Sequence, residues 1–75
     1  EIEKFTLYPN PTSEVAVLEV VGKRDIKVYD NLGRMLLEKK AISEIKLAKE
    51  QLGAGLFIIE IADENKIWKE KLIIN

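Results

Sequence analysis

The segment Gly55-Leu56-Phe57-Ile58-Ile59-Glu60-Ile61 decides the fold of this chain. Its side chains alternate between two faces, with Phe57, Ile59 and Ile61 on one and Leu56, Ile58 and Glu60 on the other. Such alternation in a stretch rich in β-branched and aromatic residues, behind a glycine, predicts a β-strand. Because both faces are largely apolar, the strand is expected in the middle of a sheet with cover on each side.

A hairpin is expected to follow this strand. Asp63-Glu64-Asn65 is a turn-forming cluster, and a last strand is predicted from Lys66 to Ile74. The faces of that last strand are ambiguous, because Trp68, Leu72 and Ile74 compete with Ile67 and Ile73 for the inward positions.

Upstream of the central segment, short strands alternate with turn signals. Strands are predicted at residues 5–8, 15–20, 25–29 and 34–39, with Ala16, Leu18, Val20, Ile26 and Val28 pointing inward. The chain is expected to turn at Gly22-Lys23-Arg24 and again at Asp30-Asn31-Leu32-Gly33, where Gly33 can take a left-handed conformation. Pro9 and Pro11 make the stretch after the first strand stiff and non-helical.

Residues 43–53 allow two interpretations. Ser43 can cap a helix, Gly53 can end it, and Ile45, Ala48 and Leu52 fit helical spacing. A single helix of about ten residues is marginal in water, so we favour a short strand at 44–47 followed by one helical turn before Leu52. Strands and turns repeating about every ten residues predict an all-β sandwich or barrel of about seven short strands.

Composition limits the functional classes. The 75 residues make one small domain, with 47% hydrophobic and 33% charged residues and no apolar run long enough for a membrane-spanning helix. A net charge of −1 gives no basic footprint for nucleic acid or anionic lipid, and the absence of cysteine excludes disulfides. The chain does not begin with methionine, and we expect it to be a piece of a longer protein.

The residues offer little for catalysis or for a cofactor. There is no histidine or cysteine, Ser13 and Ser43 fall in predicted turns, and the carboxylates mostly alternate with lysines, which is typical of a solvated sheet face. Asp30-Asn31 and Asp63-Glu64-Asn65 carry oxygen ligands without the spacing of a calcium loop, so turn chemistry explains both. We predict a protein that is not an enzyme and that binds neither a cofactor nor a metal.

Several motifs together resemble a known family. They are Leu7-Tyr8-Pro9-Asn10-Pro11, then Ile26 to Arg34 with its Val-Tyr-Asp hairpin and Gly33, then Leu52, Gly55 and Phe57, where tyrosine is usual, and finally Lys71-Leu72-Ile73-Ile74. In this order they resemble the C-terminal sorting domains (type A) carried by cargo of the type IX (Por) secretion system. The resemblance covers almost the whole chain.

The resemblance implies an immunoglobulin-like antiparallel β-sandwich that directs its parent protein through the periplasm and outer membrane, to the medium or cell surface. The implied partners are the type IX translocon, a sortase-like peptidase and the parent's preceding domains, with no nucleic acid and no membrane insertion. An exposed terminal hairpin can also accept a receptor strand at its edge. We expect recognition by Gly55, Phe57, Lys69, Lys71, Leu72, Ile73 and Ile74.

Other interpretations stay open. Trp68 and Tyr29 are candidates for the platform of an adhesive or carbohydrate-binding module. Lys66, Lys69 and Lys71 with Trp68 allow a sugar- or peptide-contacting patch. From the residues alone we favour protection of an edge strand against unwanted pairing, with Trp68 packing partly against the core. A purely structural spacer domain is the other alternative, and it predicts that deleting residues 55–75 harms folding but not export. For Gly55 and Phe57, a role in the turn and the core alone is an equal alternative to recognition.

Overall fold

The computed structural model describes residues 5–75, which form five strands and one short helix. In chain order they are β1 (Phe5–Tyr8), β2 (Val15–Asp30), β3 (Met35–Ala48), α1 (Lys49–Leu52), β4 (Gly55–Ala62) and β5 (Ile67–Ile74). All strand pairs are antiparallel, so the predicted all-β class is confirmed. Among residues 5–75, no helix has the length and apolarity needed to span a membrane.

Strand β2 is the centre of the sheet. One of its edges pairs with β3 along most of its length. Its other edge pairs first with β1, at Val17 to Val20, and then with β4, at Asp25 to Asp30. Strand β5 lies outside β4. The bent β2–β3 ribbon therefore belongs to two layers, one that contains β1 and one that contains β4 and β5.

The turn predicted at Gly22-Lys23-Arg24 is wrong, because β2 runs through it without a break. The β2–β3 register shifts between Glu19 and Arg24, and Gly22 and Ala41 both have positive φ, 77° and 56°. These are the marks of a β-bulge, which bends a strand without ending it. The side-chain Oδ1 of Asp25 accepts a hydrogen bond from the Ala41 N–H at 3.0 Å and joins the two sides of the bend.

The predicted count of about seven strands is corrected to five for the same reason. All seven predicted segments are extended, but 15–20 and 25–29 are the two halves of β2, and 34–39 and 44–47 are the two halves of β3. The favoured interpretation of residues 44–52 is confirmed: the strand continues to Ala48, and Lys49–Leu52 form a single helical turn.

The core lies between the two layers. Its buried residues are Ala16, Leu18, Ile26, Val28, Leu47, Phe57, Ile59, Ile61, Leu72 and Ile74. On β4 the predicted alternation is confirmed, since Phe57, Ile59 and Ile61 are at most 4% exposed while Leu56 is 37% exposed. Of the inward residues predicted on β2, only Val20 is half-buried rather than buried.

Pairing with β4 resolves the faces of β5. Trp68, Leu72 and Ile74 lie on the inner side, and Ile67, Lys69, Lys71 and Ile73 lie on the outer side. Ile61 faces Trp68 and Phe57 faces Leu72 in the register. The register places inward residues of β5 opposite inward residues of β4, and so fixes which face of β5 is buried. The sequence of β5 alone does not fix this face.

Candidate recognition site on the C-terminal hairpin

The β4–β5 hairpin brings together all seven residues predicted to carry recognition. Gly55 lies opposite Ile74, Phe57 opposite Leu72, and Lys71 opposite Ile58. Lys69 and Ile73 fall on the same strand as Lys71. The predicted set is thus one contiguous part of the molecule.

The two faces of the hairpin divide this set. Phe57, Leu72 and Ile74 are 4%, 0% and 2% exposed and belong to the core. Gly55, Lys69, Lys71 and Ile73 are exposed. Because a partner touches only what the folded domain presents, the first three can act in recognition only by holding the hairpin in shape.

The lysines are open to a partner. Lys69 lies opposite Glu60 in the register, and within residues 5–75 neither Lys69 nor Lys71 has a carboxylate within ion-pairing distance. Ile73 is apolar yet 42% exposed. These side chains contribute little to the core, so their chemistry is available for contacts outside the domain.

The outer edge of β5 is closed over its C-terminal half by the segment Asn10–Thr12. The Asn10 Nδ2 donates to the Lys71 carbonyl at 2.7 Å, and the Asn10 Oδ1 accepts from the Ile73 N–H at 3.1 Å. The Thr12 N–H donates to the Ile73 carbonyl at 2.9 Å, and the Asn75 N–H donates to the Thr12 carbonyl at 2.8 Å. The side-chain amide of Asn10 therefore takes the place that the peptide group of a neighbouring strand would occupy.

Local contacts hold this segment in position. Thr12 is buried at 5% exposure, its hydroxyl donates to the Val15 carbonyl at 2.9 Å, and the same oxygen accepts from the Glu14 N–H at 3.3 Å. The role of Asn10 was missed in the sequence analysis. An asparagine between two prolines is typical of a turn. The hydrogen-bond partners of Asn10 lie more than sixty positions away in the sequence, so no local pattern indicates them.

The tyrosine before this segment also makes a polar contact. The Tyr8 hydroxyl donates to the Glu19 carboxylate at 3.3 Å. The negative charge of Glu19 raises the pKa of the Tyr8 phenol, and burial adds to the effect in the same direction.

The two acidic clusters considered for a metal stabilise the turns in which they lie. The Asp30 Oδ1 accepts from the N–H groups of Leu32 and Arg34, both at 2.9 Å, while its Oδ2 pairs with the Arg34 guanidinium at 2.7 Å. The Asp63 Oδ1 accepts from the N–H groups of Asn65 and Lys66, both at 2.8 Å. Gly33 has the left-handed φ of 87° predicted for it. The backbone N–H bond from Arg34 is the main reason that the pKa of Asp30 is lowered.

The aromatic residues considered for a ligand platform are half-buried. Trp68 packs against the core, as expected for a tryptophan on a protected edge strand. Tyr29 lies on the outer face, where it borders a shallow depression together with Leu56, Ile58 and Lys69. The structure thus separates the two rings onto opposite faces.

Comparison with known proteins identifies the family. The model of the secretion system C-terminal sorting domain matches residues 6–75, and the chain belongs to that family. This confirms the resemblance to type IX sorting domains, and the domain is a C-terminal sorting signal for type IX secretion. A comparison with curated protein sequences finds no match.

A solved structure shares the fold. It is PorZ, an essential bacterial surface component of the type IX secretion system of Porphyromonas gingivalis, superposed with a TM-score of 0.78 at 17% sequence identity. The match covers 95% of this chain and 11% of PorZ. The chain therefore corresponds in fold to a small part of that longer protein.

Proposed function

We propose that this domain acts as a folded address label whose exposed β5 residues are read by the export machinery. The observation that carries the proposal is the division of the hairpin. Lys69, Lys71 and Ile73 point outward on a strand whose other face, through Leu72 and Ile74, is locked in the core. The fold thus presents a fixed pattern of charge and apolar surface at its C-terminal end.

The proposal extends to the parent protein. Residues 1–75 would form a single domain at the C-terminus of a longer exported protein, which crosses the periplasm and the outer membrane to the medium or cell surface. The type IX translocon would contact the domain, and a sortase-like peptidase would remove it. The domain itself would be a substrate of export with no catalytic step of its own.

An export assay tests this proposal. Residues 1–75 are fused behind a signal peptide and a fluorescent reporter in a bacterium that has the type IX machinery. The expected result is reporter on the surface or in the medium, and reporter in the periplasm for Lys69→Ala/Lys71→Ala.

The matched control is Lys39→Ala/Lys46→Ala, which removes two exposed lysines from β3 and should leave export unchanged. Thermal unfolding of each purified domain checks that every variant folds. If the intact, folded domain leaves the reporter in the periplasm, the sorting proposal fails. Equal export by the two double variants would show that Lys69 and Lys71 do not take part in recognition.

A further inference from the structure

The outer edge of β5 has a closed half and an open half. In an antiparallel ladder, the backbone groups of successive residues point alternately to the two edges. The bonds from Asn10 to Lys71 and Ile73 show that the odd-numbered residues point away from β4. The Asp63 N–H donates to the Lys66 carbonyl. The carbonyl of an even-numbered residue therefore points toward the β4 side, in agreement with this alternation.

The open half consists of the N–H and C=O groups of Ile67 and Lys69 and the N–H of Lys71. Within residues 5–75, β4 is the only strand that pairs with β5. From the Lys71 carbonyl to the Asn75 N–H the edge is occupied by Asn10 and Thr12. A strand added from outside thus has room opposite residues 67–71 and meets Asn10 beyond them.

A row of charges across the outer face ends at this open half. Glu38 of β3 lies opposite Lys27 of β2, Lys27 lies opposite Glu60 of β4, and Glu60 lies opposite Lys69 of β5. The sign alternates at each step. Opposite charges on directly facing residues stabilise a sheet, and like charges destabilise it. The next position in the row, on a strand beyond β5, therefore favours a carboxylate.

We propose that the open half of the β5 edge accepts an extended segment of a partner protein as an additional strand, with acidic side chains facing Lys69 and Lys71. This deepens the proposed function, on which it rests, by naming the chemistry of the partner. The alternate side chains of the added strand fall on the inner side beside Trp68, so they are apolar. The partner segment thus alternates acidic and apolar residues over about five positions, the length of the open edge.

A second copy of this domain does not fit the same edge. Antiparallel pairing of two β5 strands centred on Lys69 sets this lysine against its own copy and Ile67 against Lys71. Like charges directly opposite each other are unfavourable. The net charge of −1 also gives an acidic segment no general attraction to the domain, so the preference for carboxylates is local to this edge.

Amide hydrogen exchange on the isotopically labelled 75-residue domain tests the open edge. The amides of Ile67, Lys69 and Lys71 should exchange fast in the free domain, while those of Ile73 and Asn75 are protected by Asn10 and Thr12. The probe is a capped peptide of alternating glutamate and valine at about millimolar concentration. It should slow exchange at those three amides, whereas alternating lysine and valine should not. Protection of the three amides without peptide, or no change with the acidic peptide, overturns the proposal.

Substitutions separate the backbone from the charges. Lys69→Pro removes an outward N–H and no β4–β5 bond, so the domain should fold and lose the peptide. Lys69→Ala loses the same charge but keeps the N–H, so it should weaken the peptide less than Lys69→Pro. Lys69→Glu/Lys71→Glu should weaken the acidic peptide about tenfold and favour the basic one. Thermal unfolding checks each fold. Equal affinity of the proline and alanine variants, or no change in preference on charge reversal, contradicts the proposal.

The export assay distinguishes the two proposals. If the unchanged domain exports the reporter and Lys69→Pro exports it equally well, strand addition is wrong and the sorting function stands. If the unchanged, folded domain fails to export, the sorting function itself is wrong. Export that falls further for Lys69→Pro than for Lys69→Ala supports strand addition within the sorting function.

Discussion

Single side chains decide where the edges of this sheet end. Asn10 presents one donor and one acceptor to Lys71 and Ile73, as a peptide group of a neighbouring strand does. Pro9 and Pro11 on either side have no N–H to offer. The side-chain amide of Asn10 therefore supplies the donor that the two prolines lack.

Replacing Asn10 should destabilise the domain measurably. Asn10→Ala removes two hydrogen bonds from the β5 edge, and we expect the free energy of unfolding to fall by about 1–2 kcal/mol. Chemical denaturation measures the change. Asn31→Ala in the exposed β2–β3 loop removes the same side-chain chemistry and should change stability by less than about 0.5 kcal/mol. Equal effects of the two substitutions would show that the cap contributes nothing.

Asp30 should make stability depend on pH. Its pKa in the folded domain lies below the ordinary value of 3.8, chiefly because its carboxylate accepts the Arg34 N–H. A group with a lowered folded-state pKa contributes stability that is present above the unfolded-state pKa and is lost as the pH falls through the folded-state value. Denaturation at a series of acidic pH values should show a steeper loss for the unchanged domain than for Asp30→Asn. Parallel curves would contradict this, and Glu64→Gln controls for the loss of one carboxylate.

At the scale of elements, the bend in the β2–β3 ribbon builds the two layers. Gly22 and Ala41 hold left-handed conformations on the two strands, and only the glycine does so without steric cost. Ala41 is fixed there because its N–H bonds to Asp25. The bend thus contains a residue whose backbone conformation does not suit its side chain.

Ala41→Gly should therefore stabilise the domain. Removing the Cβ relieves the left-handed conformation, and we expect a gain of about 0.5–1 kcal/mol after the entropy cost of glycine. Ala54→Gly is the matched control, because Ala54 is exposed and does not have positive φ, and it should be neutral or destabilising. The measurement is the midpoint of thermal unfolding. A lower midpoint for Ala41→Gly would contradict the prediction.

The sequence predicts the extended segments well and their connections less well. Alternation in β4 and in the two halves of β2 specifies which residues point inward, because one face of each strand is buried. The composition of Gly22-Lys23-Arg24 fits both a loop and a bulge. Only the pairing of β2 with the distant β3 makes this segment a bulge. The position of Asn10 on the β5 edge depends likewise on a tertiary contact that no local pattern contains.

At the scale of the whole molecule, the residues predicted for recognition and part of the core lie on one hairpin. The order of the motifs along the sequence does not separate the predicted recognition residues that face the solvent from those that lie in the core. The register of β5 against β4 makes that separation. We therefore expect a change of Leu72 to act through the core and a change of Lys71 to act through contacts outside the domain.

Deleting residues 71–75 should unfold the domain. The deletion removes Leu72 and Ile74 from the core, worth about 3–6 kcal/mol together, against a total stability of about 5–15 kcal/mol for an ordinary domain. Circular dichroism should show loss of the cooperative thermal transition. Lys71→Ala is the control and should change stability by less than about 0.5 kcal/mol. A truncated domain that still melts cooperatively near the original temperature would contradict the importance of these two residues.

The parallel contact between Thr12 and Ile74 also sets how the domain responds to mechanical tension. The segment from Asn10 to Thr12 runs in the same direction as the end of β5, so pulling Asn10 and Asn75 apart slides one past the other. The four hydrogen bonds at this contact then bear the load together, in shear, rather than opening one after another like a zipper. This short contact thus gives a small domain resistance to tension applied along the end of β5.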